Sequence, residues 1–221
     1  MVRTDFDRRL SLLRGQLLQL GGLVEKAIVV AMDALERRDL EASQRVVDED
    51  DIIDEMRVDL EERCVDLIAT QQPLAGDLRT LITVLHVAVE LERIGDYAEG
   101  IGKISVVMGE EPPIKPLNDM SLMAAWSMDM LRRSLDSLVN RDVVAATEVC
   151  HDDDQVDELY DRVYHDLLGY MVKDPQTIRR ATYLLWVAHD LERVADRTTN
   201  IAERVIYLVT GSLSEIHGGR Y

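Results

Sequence analysis

Acidic residues spaced four apart occur at two places in each half of the chain. These acid-x-x-x-acid pairs are Asp50/Asp54, Glu92/Asp96, Asp153/Asp157 and Glu192/Asp196. In an α-helix, residues four positions apart lie on one face, so each pair presents two neighbouring carboxylates. Neighbouring carboxylates repel each other unless protons or cations neutralise them, and oxygen ligands suit hard cations such as iron, manganese, magnesium or calcium. The pairs therefore predict metal-binding sites.

The two pairs of each half lie at similar distances from a predicted turn. Asp54 and Glu92 are roughly equidistant from the turn near residue 73, and the second half repeats this arrangement about a turn near residue 174. Antiparallel helices would therefore gather four carboxylates at one level in each half. The alternative is a solvated acidic surface that is neutralised by nearby arginines. These arginines are Arg57, Arg93, Arg193 and Arg197.

The acidic pairs belong to an internal duplication. LERIGDYAEGI (Leu91–Ile101) and LERVADRTTNI (Leu191–Ile201) lie one hundred residues apart, and residues 85–96 and 185–196 share seven of twelve positions. An earlier match pairs residues 49–56 with residues 152–159. Because the matches occur in the same order in both halves, the sequence predicts a duplicated unit of three helices.

Helical periodicity and sparse prolines define the elements that carry these acids. We predict helices near 3–38, 40–71, 74–109, 118–140, 143–173 and 176–211. Asp39, Asp142 and Asp174 precede helices as N-caps. The segment Gly109–Pro116 is the predicted linker. The expected fold is therefore all-α, with two tandem homologous three-helix bundles of antiparallel up-and-down helices at residues 1–110 and 117–213.

Composition limits the functions that this chain can have. A formal net charge of −17 argues against nucleic acid or an acidic membrane surface as a partner, and it suits cations or a basic protein. The charged start and the absence of an apolar run of ~20 residues favour a soluble cytoplasmic protein. Cys64 and Cys150 stand alone in helical segments, so we expect both in the core of a protein from a reducing compartment.

Four segments resemble the PhoU family of phosphate-uptake regulators. They are QLGGLVEKAI (Gln19–Ile28), QQPLAGDLR (Gln71–Arg79), LERIGDYAEGI, and LERVADRTTNIAERVIYLVTG (Leu191–Gly211). The resemblance implies two three-helix bundles and metal clusters held by paired E(D)-x-x-x-D motifs, which the eight acids match. Iron is the expected metal, with manganese, magnesium, calcium or zinc as alternatives. It also implies a homodimeric, non-enzymatic cytoplasmic protein. Such a protein links a phosphate ABC transporter to a phosphate-sensing histidine kinase and negatively regulates the phosphate-starvation response.

The second copy departs from the first beside its motif. Where the first copy has Tyr97, Glu99 and Gly100, the second has Arg197, Thr199 and Asn200. The change removes a carboxylate one turn beyond the acidic pair. The two sites therefore need not be equivalent in metal content.

Two other functions compete with regulation. A ferritin-like, carboxylate-bridged di-iron enzyme needs two Glu-x-x-His motifs on facing helices, and the chain has one, from Glu148 to His151. A phosphotransfer module would use His189, which precedes an acidic residue as in kinase dimerisation helices. We expect His189 to be an ordinary exposed histidine, and His151 to be structural.

Overall fold

The computed structural model describes residues 2–212, which form six α-helices. They are α1 (Val2–Arg37), α2 (Leu40–Gln71), α3 (Ala75–Met108), α4 (Asn118–Asn140), α5 (Val143–Lys173) and α6 (Ile178–Thr210). A 3₁₀ turn at Pro175–Thr177 precedes α6. All six predicted helices are confirmed, with ends that differ from the predictions by at most two residues. The outer limits of the two predicted repeats, residues 1 and 213, lie outside the described residues.

Aspartate caps begin three of these elements as the sequence predicts. The Asp39 carboxylate accepts a hydrogen bond from the amide of Ala42 at 2.9 Å. Asp142 accepts from the amides of Val144 and Ala145, and Asp174 accepts from that of Gln176. Each cap satisfies amide groups that the first turn leaves without an intrahelical partner. The caps therefore fix where α2, α5 and the turn before α6 begin.

Helices α1–α3 pack as one bundle and α4–α6 as a second, and α3 and α6 join the two at the centre. Asn200 Nδ2 of α6 donates to Glu90 Oε2 of α3 at 3.2 Å. Ten residues further along α3, Gly100 faces Asp190 of α6. This register is that of antiparallel helices, and it relates the two repeats by an approximate two-fold axis.

Small residues bring α2 close to α3 in the first bundle. A Cβ atom on Gly102 would lie 3.0 Å from the carbonyl oxygen of Ser43, so only glycine fits there without a shift. Ser43 and Ser105 hydrogen-bond across the same contact at 2.7 Å. This close approach sets the height at which the acidic residues of the two helices meet.

The remaining core is aliphatic and spans both bundles. Cys64 and Cys150 are buried in it, as predicted, and burial raises the pKa of each thiol to about 12. Within residues 2–212, no helix carries an apolar stretch long enough to span a membrane.

Candidate metal centre

Three of the four predicted acids of the first half meet between α2 and α3. Carboxylate oxygens of Asp50, Asp54 and Asp96 all lie within 4.8 Å of one another. A Cβ atom on Gly95 would lie 3.2 Å from Asp50 Oδ1, so the missing side chain at Gly95 leaves room for this carboxylate. The structure therefore brings together acids from two helices, as the height argument predicts.

Glu92, the fourth predicted acid, lies beside this group but outside the close contact. Its side chain is only 14% exposed, and Oε2 lies 3.5 Å from Nε of Arg93. Burial, followed by the Asp96 charge, raises the pKa of Glu92. Arg93 also donates to Asp96 at 2.9 Å. One arginine thus partly neutralises the α3 pair, which is the kind of contact expected of an acidic surface without metal.

The Asp50 carboxylate lies in a strongly negative environment. Burial raises its pKa to about 6, and the charges of Glu99, Asp54 and Asp96 add to the effect. Glu99 was not among the predicted ligands, although its position one turn beyond Asp96 on the same helix face could have indicated it. It forms an ion pair with Lys103. The first site therefore has a fifth acid at its edge.

The predicted acids of the second half also come together. Burial raises the pKa of Asp153 to about 7, and Asp157, Asp196 and Glu192 add to the effect in that order. Burial and the Asp196 charge raise the pKa of Glu192 to about 7 as well. Four carboxylates from α5 and α6 thus influence one another, as do their counterparts in the first half.

Arg193 makes the second site different from the first. Its Nε lies 3.0 Å from Glu192 Oε2, without the alignment of a hydrogen bond, and its NH1 donates to Asp196 at 2.7 Å. Both contacts are shorter than those of Arg93. Among the described residues, the second half has no three carboxylates as mutually close as Asp50, Asp54 and Asp96.

Unpaired buried oxygens test whether these sites suit a cation. Asp54 Oδ1, Asp153 Oδ1 and Glu192 Oε2 are buried and lack a hydrogen-bond donor within the described part of the chain. Leaving an anionic oxygen buried without a donor costs free energy, which a bound cation would recover. The donor atoms are all carboxylate oxygens, as hard cations require. Both sites therefore fit a metal in the chemistry of their donor atoms.

Two of the residues that distinguish the repeats serve the contact between the bundles. Arg197 NH1 and Asn200 Nδ2 both donate to Glu90 across the junction of α3 and α6, at 3.5 and 3.2 Å. At the equivalent place in the other repeat, Asp190 faces Gly100, and burial raises the pKa of Asp190 to about 7. Sequence reasoning missed this function because the partners lie more than one hundred residues apart.

Comparison with protein families accounts for the duplication. Residues 17–105 and 120–205 each match the model of the PhoU domain. The chain belongs to the PhoU family. The two matched PhoU segments correspond to the two three-helix bundles, so the predicted fold and the family resemblance are both confirmed.

Proteins named PhoU match this chain over nearly its whole length, both in sequence and in structure. The phosphate-specific transport system accessory protein PhoU homolog of Clostridium acetobutylicum is 38% identical over 98% of this chain and 100% of its own length. The homolog of the same name from Aquifex aeolicus is 38% identical, over 90% of this chain and 90% of its own length. The crystal structure of PhoU from Pseudomonas aeruginosa superposes with a TM-score of 0.90 at 35% identity, covering 94% of this chain and all of that one.

The structure also locates the residues of the two competing interpretations within the second PhoU domain. Glu148 and His151 are both exposed on α5, outside the carboxylate groups described above. His189 is exposed as predicted, and its Nδ1 lies 3.6 Å from Glu192 Oε2. Burial and the Arg193 charge lower the pKa of His189. A histidine in this position borders the acidic residues of the second domain, and its ring also lies against that of Tyr160.

Proposed function

We propose that this protein regulates phosphate uptake as an accessory protein of a phosphate transporter. The match of both PhoU domains to relatives of nearly equal length carries the proposal, because those relatives are named accessory proteins of the phosphate-specific transport system. A PhoU of 30% identity from Streptococcus pneumoniae is described as a phosphate transport system regulatory protein. The proposed role is regulatory and non-enzymatic.

In the finer form of this proposal, the protein works in the cytoplasm as a homodimer. It links a phosphate ABC transporter to a phosphate-sensing histidine kinase and suppresses the phosphate-starvation response while phosphate is abundant. The net charge of −17 supports a basic protein surface as its partner. Sedimentation of the purified protein tests the dimer, and a monomer at micromolar concentration would contradict it.

Metal binding is the second part of the proposal. Asp50, Asp54 and Asp96 would hold a cation in the first domain, with Glu92 at the edge. The matching set in the second domain is Asp153, Asp157, Glu192 and Asp196. A bound cation, for which iron is the first candidate, supplies positive charge that neutralises the carboxylates. With their charge neutralised in this way, the acids of α2 and α3, and those of α5 and α6, would be held together instead of repelling one another. Elemental analysis of protein purified without chelator tests this part.

Deletion of the gene tests the regulatory part. We expect phosphate-uptake genes to be expressed in phosphate-rich medium after deletion, and complementation with the wild-type gene to silence them again. Transcript levels measured in rich and poor medium decide the matter. Unchanged expression in rich medium would remove the regulatory function while leaving the metal sites open to test.

A further inference from the structure

A cavity of about 270 Å³ lies at the end of the fold where α3 begins and where α4 and α6 end. Its polar lining residues are Ser11, Arg14, Thr80 and Thr83. Its apolar lining residues are Leu17, Leu18, Val84, Leu138, Val139 and Leu208. We call it the end cavity. Its volume corresponds to about nine water molecules at ~30 Å³ each, so it has room for a small organic molecule.

Thr83, in the wall of the end cavity, carries a buried hydroxyl without a partner. The residue is 1% exposed, and its Oγ1 has no hydrogen-bond partner among the described residues. The neighbouring Thr80 differs, because its hydroxyl donates to the carbonyl oxygen of Gly76 at 3.0 Å. An unpaired buried hydroxyl costs free energy, which a ligand with an oxygen acceptor would recover.

Arg14 carries the positive charge of the cavity wall. Within residues 2–212 it forms no ion pair. Burial, followed by the Arg141 charge, lowers its pKa, and Asp77 opposes them. A guanidinium that is partly desolvated and has no counter-ion gains free energy from an oxyanion that binds beside it.

The other charged residues near the end cavity are balanced. The basic ones within one helical turn of the lining are Arg8, Arg79, Arg141 and Arg204. The acidic ones are Asp7, Asp77, Asp136 and Asp142. Burial, followed by the Arg204 charge, lowers the pKa of His86, so this neighbour is neutral at pH 7. Since the acids and arginines of the described chain offset each other here, the charge of Arg14 is in excess and favours an anionic ligand.

The internal duplication contains a closed counterpart of the end cavity. There the space beside Leu35 and Met108 measures only about 10 Å³, because the linker closes it with residues such as Pro113. The corresponding residues of the end cavity are Leu138 and Leu208. The carbonyl oxygen of Glu110 in the linker accepts a hydrogen bond from Arg38 at 3.3 Å. The linker thus supplies apolar groups and oxygen acceptors together, and within residues 2–212 no segment does this for the end cavity.

We propose that the end cavity binds a small amphipathic carboxylate, whose aliphatic chain lies along the apolar wall and whose oxygens meet Arg14 and Thr83. Octanoate, with about ten non-hydrogen atoms at roughly 30 Å³ each, is close to the volume of the cavity. The inference goes beyond the proposed function, because it needs neither the transporter nor the kinase. Since α1, α3, α4 and α6 all line the cavity, a ligand there would hold the two repeats together.

Octanoate is the probe that tests the inference, and 1-octanol is its uncharged control. Calorimetry on the full-length protein measures both affinities. We expect octanoate to bind at least about tenfold more tightly than octanol, because only the carboxylate pairs with Arg14. Acetate, which lacks the aliphatic chain, should bind too weakly to detect. Octanoate should also raise the melting temperature, since it binds the folded state only.

Three variants locate the site. Arg14→Gln should weaken octanoate binding at least about tenfold and leave octanol binding within about twofold of the wild type. Gly15→Leu places a side chain in the cavity, where an added Cβ meets nothing within 4 Å, and it should abolish binding of both compounds. Arg37→Gln, at the other end of α1, is the control and should bind octanoate as the wild type does. Melting curves without ligand check that each variant folds.

Four results would each overturn the inference. They are that the full-length protein binds no octanoate, that octanol binds it equally tightly, that Arg14→Gln binds octanoate as the wild type does, and that Gly15→Leu leaves binding unchanged. In the first case, a chain that ends at Ser212 and binds octanoate would identify residues 213–221 as the occupant instead. The deletion experiment decides the proposed function separately.

Discussion

Replacing Asp153 by Asn should have opposite effects with and without metal. Burial and the charges of four neighbouring carboxylates raise the Asp153 pKa from 3.8 to about 7 in the folded protein. Above pH 7 Asp153 is ionised in both states, but ionisation costs more free energy in the folded protein than in the unfolded chain, so it destabilises the fold. That difference corresponds to about 4 kcal/mol at 1.36 kcal/mol per pKa unit. Since solvent screens a partly exposed group, we expect about 1–2 kcal/mol.

The pH dependence follows from the direction of the pKa shift. A raised folded-state pKa means that the folded protein binds the proton more tightly, so the destabilisation is complete above pH 7 and fades as pH falls toward 4. In chelator at pH 8, Asp153→Asn should therefore raise the melting temperature by roughly 2–8 °C. At pH 5 most of this gain should be absent. With metal the variant should gain less stability than the wild type, because a ligand is missing.

Calorimetric melts at pH 5 and pH 8, in chelator and in anaerobic ferrous or manganous buffer, measure all four conditions. Asp161→Asn is the matched control, because Asp161 is exposed on the same helix. A lower melting temperature for Asp153→Asn in chelator at pH 8 would refute the electrostatic reasoning. If metal stabilises wild type and variant equally, Asp153 is not a ligand.

Three further changes test the other contacts. Glu92→Ala/Asp96→Ala should lower the metal content measured by elemental analysis and remove the chelator-sensitive stability of the first domain alone; unchanged metal content would contradict the first site. Gly102→Ala should lower the free energy of unfolding measured in urea, because its Cβ would lie 3.0 Å from the Ser43 carbonyl oxygen. Gly22→Ala, where the added Cβ meets open space, should raise the same free energy by up to ~1 kcal/mol. Equal gains for the two variants would refute the packing argument. Arg197→Ala should cost about 1–3 kcal/mol by leaving Glu90 with one donor fewer, and adding Glu90→Gln should recover part of it; no loss would show that water replaces the arginine.

Sequence reasoning predicted the local features of this protein well. The starts of α2 and α5 depend on the Asp39 and Asp142 carboxylates, which accept hydrogen bonds from backbone amides two or three residues away, so periodicity and capping were enough to place them. The matching heights of Asp50 and Asp96 also followed from counting, since a short turn leaves antiparallel helices little freedom of register. Whether a cation occupies these sites stays a prediction.

Contacts between the bundles were beyond the reach of the sequence. The hydrogen-bond donors to Glu90 lie over one hundred residues away in the sequence. A shift of one helical turn between α3 and α6 would have placed other residues beside Glu90. Arg193 illustrates a second limit. It is identical in type to Arg93, yet its contacts to the acids are shorter, because the final geometry depends on the packing of every neighbouring side chain.

Joining the two repeats in one chain has a consequence for how each position can vary. In a symmetric pair of separate subunits, every substitution on the axis appears twice and must tolerate its own image. Here Glu90 can acquire Arg197 and Asn200 as donors while Asp190, its counterpart, faces Gly100. A single codon alters one end of the junction and leaves the other untouched. Because the two repeats are joined in one chain, each can change its sequence independently, and one repeat can acquire a function that the other lacks.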